Sequence, residues 1–239
     1  MLLANLTLPS PEENLACDEV LLGMCERGTS TGLLRFWQPP SPFIVLGHGS
    51  RTGDEVNVDE ARKRRVPVLR RYSGGGTVVQ GPWCLNYTLI LHIPERGALS
   101  TITGTTAFIL RRHATALQVM CHAPISVSGQ SDLTIEGKKF SGNAQRRGRT
   151  CLLFHGTFLI SPDIALIEAV LPLPVRQPEY RHNRTHGEFL RGFPATPEKV
   201  KEALQTAWEA GPDLTEIPYE EISHLAASRY SSDAWTFRR

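Results

Sequence analysis

RRYSGGGTVVQGPWCLNYTLIL, residues 70–91, sets three consecutive glycines between two runs that both read as strands. VPVLRRYS (66–73) leads into Gly74, Gly75 and Gly76, and CLNYTLILH (84–92) follows as a buried strand. Three glycines cost backbone entropy and supply no side chain to pack. A sheet bears that cost where a ligand or another backbone must come close. Bare N–H groups in such a segment suit an anionic or narrow, closely fitting ligand. Arg70 and Arg71 alternate faces if the strand runs through them, so only one can enter a site, with a fork matched to phosphate or carboxylate. No Lys-Ser or Lys-Thr follows, which excludes a Walker A loop. The glycines join strands instead of opening a helix, which excludes a Rossmann turn. Taken alone, the stretch has a simpler explanation, a glycine-rich turn with solvated arginines.

The flanking sequence supplies the frame. In SPEENLACDEVLLGMCERG, Ser10 is an N-cap, Pro11 takes the first helical position and Glu13 completes a capping box. Cys17, Val20, Leu21 and Met24 line one face of that helix, and Gly28 ends it. LLRFW (33–37) and FIVLGHG (43–49) read as strands around a Pro-rich turn, and DEARKRR (59–65) as a short charged helix. TTAFILRRHATALQVM (105–120) is a helix with one apolar side. DLTIEGKKFSGNAQ (132–145) and TCLLFHGTFLI (150–160) give further strands, with turns at Glu136-Gly137 and at RRGR (146–149). SPDIALIEAVLP and TPEKVKEALQTAWEAG each open with a helix-start signal. Between them the basic, Pro-rich segment 172–194 is long for a structureless loop, and such loops are often functional or mobile. This order predicts an α+β fold on a mixed, largely antiparallel sheet flanked by helices.

Composition narrows the function classes. At 239 residues, 41% apolar and 21% charged, the chain is long enough for a substantial core and ordinary for a globular protein. A net charge of +2 gives no basic face for bulk nucleic-acid binding. Five widely spaced cysteines without a CxxC pair argue against a disulfide framework or zinc site and for buried free thiols in a reducing compartment. The opening MLLANLTLPSPEEN lacks the basic region of a signal peptide, and no apolar window is long enough for a membrane span. A soluble cytoplasmic protein is the expectation.

Two more segments change the weight of the glycines. GKKFSGNAQRRGR (137–149) again sets lysines beside a small-residue bend, and FHGTFLI (154–160) sets His155 beside a glycine on a strand. Singly, the lysines read as a wet hairpin and His155 as a satisfied core histidine. Together RR-Y-SGGG-T, LNY, SGQSDL, GKKFSGNAQ and HGT, with ENLACDEVLL before them and HLAASRYSSDAWTFRR after, resemble the lipoate–protein ligase A family over nearly the whole chain. That family shares its fold with biotin ligases and octanoyltransferases.

The resemblance implies one catalytic domain over residues 1–239, in which lipoate and ATP form lipoyl-adenylate and the lipoyl group then passes to a lysine of a lipoyl-domain acceptor. It implies Lys139 as the catalytic lysine, holding the carboxylate oxygen and the α-phosphate as charge builds up. Arg71, Ser73, Gly74, Gly75 and Gly76 would line the mixed-anhydride pocket. Asp132 matches a residue associated with nucleotide and Mg²⁺ binding. Asn86 and His155 would line the pocket, and Gly142, Ala144, Gly156 and Thr157 would shape the adenylate site. Alternation turns Lys138 to the opposite, solvated face.

The chain also departs from the family pattern. Gln80-Gly81 stands where members commonly carry His-Asp, and Gln130-Ser131 stands where many carry Asn. The sequence stops soon after RYSSDAW, so the expectation is no large C-terminal accessory domain, with adenylation helped by a separate accessory protein or left to another enzyme. Two rivals are open: an octanoyltransferase working through a cysteine thioester, which needs an activated thiolate, and a non-catalytic lipoyl-domain-binding scaffold, which has no need to keep Lys139, Arg71 and Asp132 together. A biotin ligase lacks support because no GRGRxG-type loop is present in the right place.

Overall fold

The computed structural model describes residues 1–29 and 32–238. Seven strands form the main sheet: β1 (Leu2–Asn5), β2 (Leu33–Trp37), β6 (Cys84–His92), β7 (Ile125–Ser128), β8 (Asp132–Ile135), β9 (Lys138–Arg147) and β10 (Cys151–Leu159), in the spatial order β1-β2-β6-β10-β9-β8-β7. Only β1 and β2 pair in parallel, and the other neighbours are antiparallel. A second, three-stranded sheet holds β4 (Val68–Arg70), β3 (Phe43–Leu46) and β5 (Val78–Gln80), so the glycines join two strands of this small sheet, and the 84–92 run beyond them belongs to the main one. The helices are α1 (Pro11–Glu26), α2 (Thr52–Glu55), α3 (Val58–Lys63), α4 (Ile102–Gln118), α5 (Ile164–Val170), α6 (His186–Phe189), α7 (Pro197–Trp208), α8 (Tyr219–Leu225) and α9 (Asp233–Thr236), with a π turn over Ala226–Tyr230. None is long and apolar enough to cross a membrane.

β6 explains the layering. Its Leu85, Tyr87, Leu89 and Leu91 pack on one face with α4 and α7, while Ile90 packs on the other with α1 and α8. A strand buried on both faces reads as a continuous apolar run, and its two buried polar exceptions, Asn86 and Thr88, both face the α1 side. The capping box predicted for α1 is present, with Ser10 Oγ accepting from the Glu13 N–H and Glu13 Oε2 accepting from the Ser10 N–H. Glu136 and Gly137 both have positive φ and close the β8–β9 hairpin in the primed turn geometry that strand twist favours.

Four expectations change. The strand expected over 66–73 is ordered as β-structure only over Val68–Arg70. The expected RRGR turn lies further on, because Arg146 and Arg147 continue β9 and pair with Leu153 and Leu152. The 172–194 segment is not structureless: it holds a 3₁₀ turn at Glu179–Arg181 and the capped helix α6. Finally, Cys25 and Cys151 are joined in a disulfide across a separation of 126 residues, so the cysteines are not all free thiols. Closing so long a loop stabilises by about 2–5 kcal/mol, mainly by restricting the unfolded chain. Reduction is therefore expected to lower the melting midpoint by roughly 5–15 °C. Coincident thermal melts with and without a reductant, after thiol titration has verified reduction, would show that the bridge contributes nothing.

Candidate active site

The two sheets and the 172–189 segment enclose a cleft of about 1520 Å³. Asn86, Asp132, Lys139, Gly142, Ala144, His155, Gly156 and Thr157 line it from the main sheet, and Arg71 and Gly74–Gly76 line it from the small one. The charged amine at 139 and the main chain at 74–76 thus face one cavity. Its wall is apolar around Leu15, Trp37, Val45 and Val78, which belong to the cluster under α1. It is polar around Lys139, Asp132, Arg176 and Tyr180.

Lys139 Nζ lies 2.8 Å from Asp132 Oδ1, and the Tyr180 hydroxyl donates to Asp132 Oδ2 at 2.7 Å. β8 and β9 place the pair through a bulge: Leu133 pairs with Ser141 and Thr134 with Lys139, which leaves Phe140 as the extra residue. Phe140 is fully buried in the core, which anchors the bulge. Gly142 pairs with Asp132, and a Cβ there would sit 2.7 Å from Lys139 Nζ. Burial, then the Asp132 carboxylate, pushes the Tyr180 phenol well above its usual range, so it stays a donor. Lys138 is exposed on the other side.

The two arginines part as alternation requires. Arg70 is fully buried away from the cleft, donating to the carbonyls of Gly47, Ser50 and Thr236. Arg71 faces the cleft but is not the free bidentate fork the sequence suggested. Its Nη2 donates to the carbonyls of Gly74 (2.6 Å) and Gly76 (2.9 Å), its Nη1 to Val45, and its Nε to Ser73 Oγ and Gly74. The guanidinium gathers the carbonyls of the glycine arch, and burial holds it down to about 10. Gly75, at φ +89°, has the backbone that an L side chain rarely adopts. At the far side of the arch Glu55 Oε2 accepts from the Thr77 N–H at 3.1 Å and from Ser50 Oγ at 2.9 Å.

Ser73 sits just beneath the wall, with Oγ 2.5 Å from His155 Nε2. Asn86 and Thr157 are linked, with Thr157 Oγ1 donating to Asn86 Oδ1 at 2.6 Å and accepting from Gln80 Nε2 at 2.7 Å. Asn86 Nδ2 and Gln80 Oε1 are buried without a partner within the protein, which leaves one donor and one acceptor at the cleft.

The sequence reading missed Asp18, Asn143, Tyr180 and Glu55. Asn143 Oδ1 accepts from the Tyr87 hydroxyl at 2.6 Å, and its Nδ2 donates to the Ser131 carbonyl. Asp18 had a signal: an acid on a helix face that also carries Leu15, Leu21 and Leu22. The other three had none beyond their motifs or loop.

Among the described residues Cys25, His92 and Cys151 alone form a cluster of three metal-type ligands, at the far end of β6 and β10, and its two cysteines are already joined. Asp54, Glu55, Asp132 and Glu179 also line the cleft, and of these Asp132 stands beside Lys139 with one oxygen on its ammonium and the other on the Tyr180 hydroxyl, so it would serve Mg²⁺ as one carboxylate ligand, with phosphates and water as the others.

Residues 10–208 match the family model of the lipoyl protein ligase A/B catalytic domain. A relative from Mycoplasma pneumoniae named probable lipoate-protein ligase A is 33% identical over 161 residues, covering 67% of this chain but 46% of its own length. The octanoyltransferase LipM of Oceanobacillus iheyensis is 26% identical over 92% of this chain and 90% of its own. Among solved structures, a bi-partite lipoate protein ligase from Thermoplasma acidophilum, studied with its E2 lipoyl domain, superposes with a TM-score of 0.82 at 21% identity, covering 99% of this chain and 95% of that one, a likeness of fold. The chain belongs to the lipoyl protein ligase A/B catalytic domain family, and is an enzyme of the lipoate ligase and octanoyltransferase kind.

Proposed function

We propose that this member of the family is a lipoate–protein ligase: it activates lipoate with ATP, releasing pyrophosphate, and passes the lipoyl group from lipoyl-AMP to a lysine of a lipoyl-domain acceptor. One observation carries the reading. Lys139, already paired with an acid, and the glycine arch face one cleft that is apolar at one part and cationic at another, and among the described residues no cysteine lines it. The apolar part around Leu15, Trp37 and Val45 suits an acyl chain, and the Lys139–Arg176 part suits a nucleotide phosphate. As the carboxylate attacks the α-phosphate, negative charge grows on the oxygens between them. A pre-placed ammonium stabilises that charge without reorganising. Mg²⁺, bound with ATP, would neutralise phosphate charge, with Asp132 as its protein ligand. In the second step the arch carbonyls stay on Arg71, so the loop keeps its shape while the acceptor lysine attacks. The chain forms a single catalytic domain in this reading, and the bi-partite Thermoplasma relative supports a separate accessory protein as partner.

The LipM relatives favour a second reading, octanoyl transfer through a cysteine. That route needs a thiolate beside the acyl carbon. Burial pushes the Cys17 thiol up to about 11 and the Cys84 thiol up to about 12, and it also raises Cys121. Cys25 and Cys151 are in the disulfide. Replacing Cys17, Cys84 and Cys121 with serine, one at a time, is therefore expected to leave acyl transfer within about threefold of the parent, as for substitutions that touch no reacting group. The deciding assay combines protein, ATP, Mg²⁺, lipoate and a lipoyl domain, and follows pyrophosphate and acceptor mass together. Acceptor modification from octanoyl carrier protein without ATP, with an acyl-cysteine adduct, would replace the ligase reading.

A further inference from the structure

One buried carboxylate stands behind the arch. Asp18 Oδ1 accepts from Arg35 Nη1 at 2.7 Å and from Thr88 Oγ1 at 2.9 Å, and Asp18 Oδ2 faces His155 Nδ1 at 3.0 Å. His155 Nε2 meets Ser73 Oγ, and Ser73 Oγ accepts from Arg71 Nε at 3.1 Å. Arg71 then holds the Gly74 and Gly76 carbonyls. The chain α1–β10–arch thus crosses both sheets through four side chains.

Its polarity has one solution for a neutral imidazole. An ionised carboxylate only accepts, so His155 Nδ1 carries the proton and donates to Asp18. Nε2 is then bare and accepts from the Ser73 hydroxyl, whose oxygen stays open to Arg71. Burial alone would raise the Asp18 carboxyl, but the His155 hydrogen bond and the Arg35 charge outweigh it and hold the pKa below its usual value, so Asp18 stays an acceptor. All peptides here are trans, so turning the Gly74 carbonyl to Arg71 turns the Gly75 N–H away from it.

We propose that Asp18 is a positioning residue for the acyl-activation site: acting through the His155 tautomer and Ser73, it fixes Arg71 and so the direction of the peptide groups in the glycine arch. Asp18 need not touch the reacting atoms. Ser73 is buried beneath the wall with its oxygen shared by Arg71 and His155, which makes it a relay and not a nucleophile.

Asp18→Asn separates this role from simple packing. Arg35 and Thr88 both donate to Oδ1, so the asparagine oxygen must stay there and its Nδ2 must face His155. The imidazole is forced into the other tautomer, with Nε2–H directed at Ser73 Oγ, and the relay runs backwards. The first measurement is ¹⁵N NMR of ring-labelled protein at about pH 8, above the ordinary imidazole range, with His155 assigned from His155→Gln. The parent and Ser73→Ala proteins are expected to carry the proton on Nδ1, and Asp18→Asn on Nε2. A parent His155 protonated on Nε2, or one tautomer in parent and Asp18→Asn alike, overturns the proposal. The second measurement, which rests on the ligase reading, is pyrophosphate release with ATP and lipoate. Asp18→Asn and Ser73→Ala are each expected to lose about 10–100-fold in kcat/KM, in line with loss of a charged hydrogen bond, and the double variant no more than the worse single one. Losses that multiply mean separate structural roles and overturn it as well. If Asp18→Asn does not fold, the parent tautomer and the Ser73→Ala rate still decide. A parent without pyrophosphate release sinks the ligase reading while the NMR result stands by itself.

Discussion

Lys139→Ala is expected to lower lipoyl-AMP formation by about 10²–10³-fold while the melting midpoint moves by only a few degrees. The asymmetry follows from where the side chain sits. Its ammonium is only partly buried and ion-paired to Asp132, so its contribution to stability is small, of the order of 1 kcal/mol or less. A fixed charge facing the developing anhydride is worth about 3–4 kcal/mol in the transition state, because it acts in a low-dielectric site without reorganising. Removing it also leaves Asp132 bare beside incoming phosphate, which adds repulsion to the loss. Lys139→Arg should recover little, because the planar guanidinium cannot occupy the space above Gly142 that a single ammonium fills. The measurement is single-turnover formation of lipoyl-AMP, with thermal melts alongside. Parent-like adenylate formation by a folded Lys139→Ala protein would remove Lys139 from the chemistry.

Gly142→Ala is expected to cost about 10–100-fold in the same assay with almost no change in stability. An added methyl would lie 2.7 Å from Lys139 Nζ and 2.8 Å from Lys139 Cε, and those atoms end a flexible side chain that can swing away at little cost. The fold therefore tolerates the methyl, but the amine leaves the place Asp132 fixes for it, and a displacement near 1 Å is enough to cost two orders of magnitude. In the Lys139→Ala background the same methyl meets no amine, so the double variant should match Lys139→Ala alone. A Gly142→Ala loss that persists there would mean that the glycine acts through something other than lysine placement.

Much of this is legible in the amino-acid sequence. CLNYTLILH announces a buried strand, and the strand is buried on both faces, with Asn86 at the cleft. Ser10, Pro11 and Glu13 fix the start of α1 by local hydrogen bonds alone. Residues set by pairwise geometry across long separations were not legible. Tyr180 reaches Asp132 across 48 residues, and the segment between them carries no period to predict its path. Cys25 and Cys151 meet only because α1 ends where β10 begins. Arg71 was misjudged for a related reason: a strand pattern tells which face a guanidinium takes, and not that nearby carbonyls will engage most of its donors.

The ties made by Arg70 carry a consequence for biosynthesis. Its Nε donates to the Thr236 carbonyl, and the Trp235 indole donates to its own carbonyl, so the strand just before the arch is clasped by residues 165 and 166 positions later. Ribosomes deliver a chain from its N-terminus, so every part of the cleft wall has emerged before the clasp exists. The nascent protein therefore passes through an interval in which every residue of the wall has emerged and the residues that latch it have not.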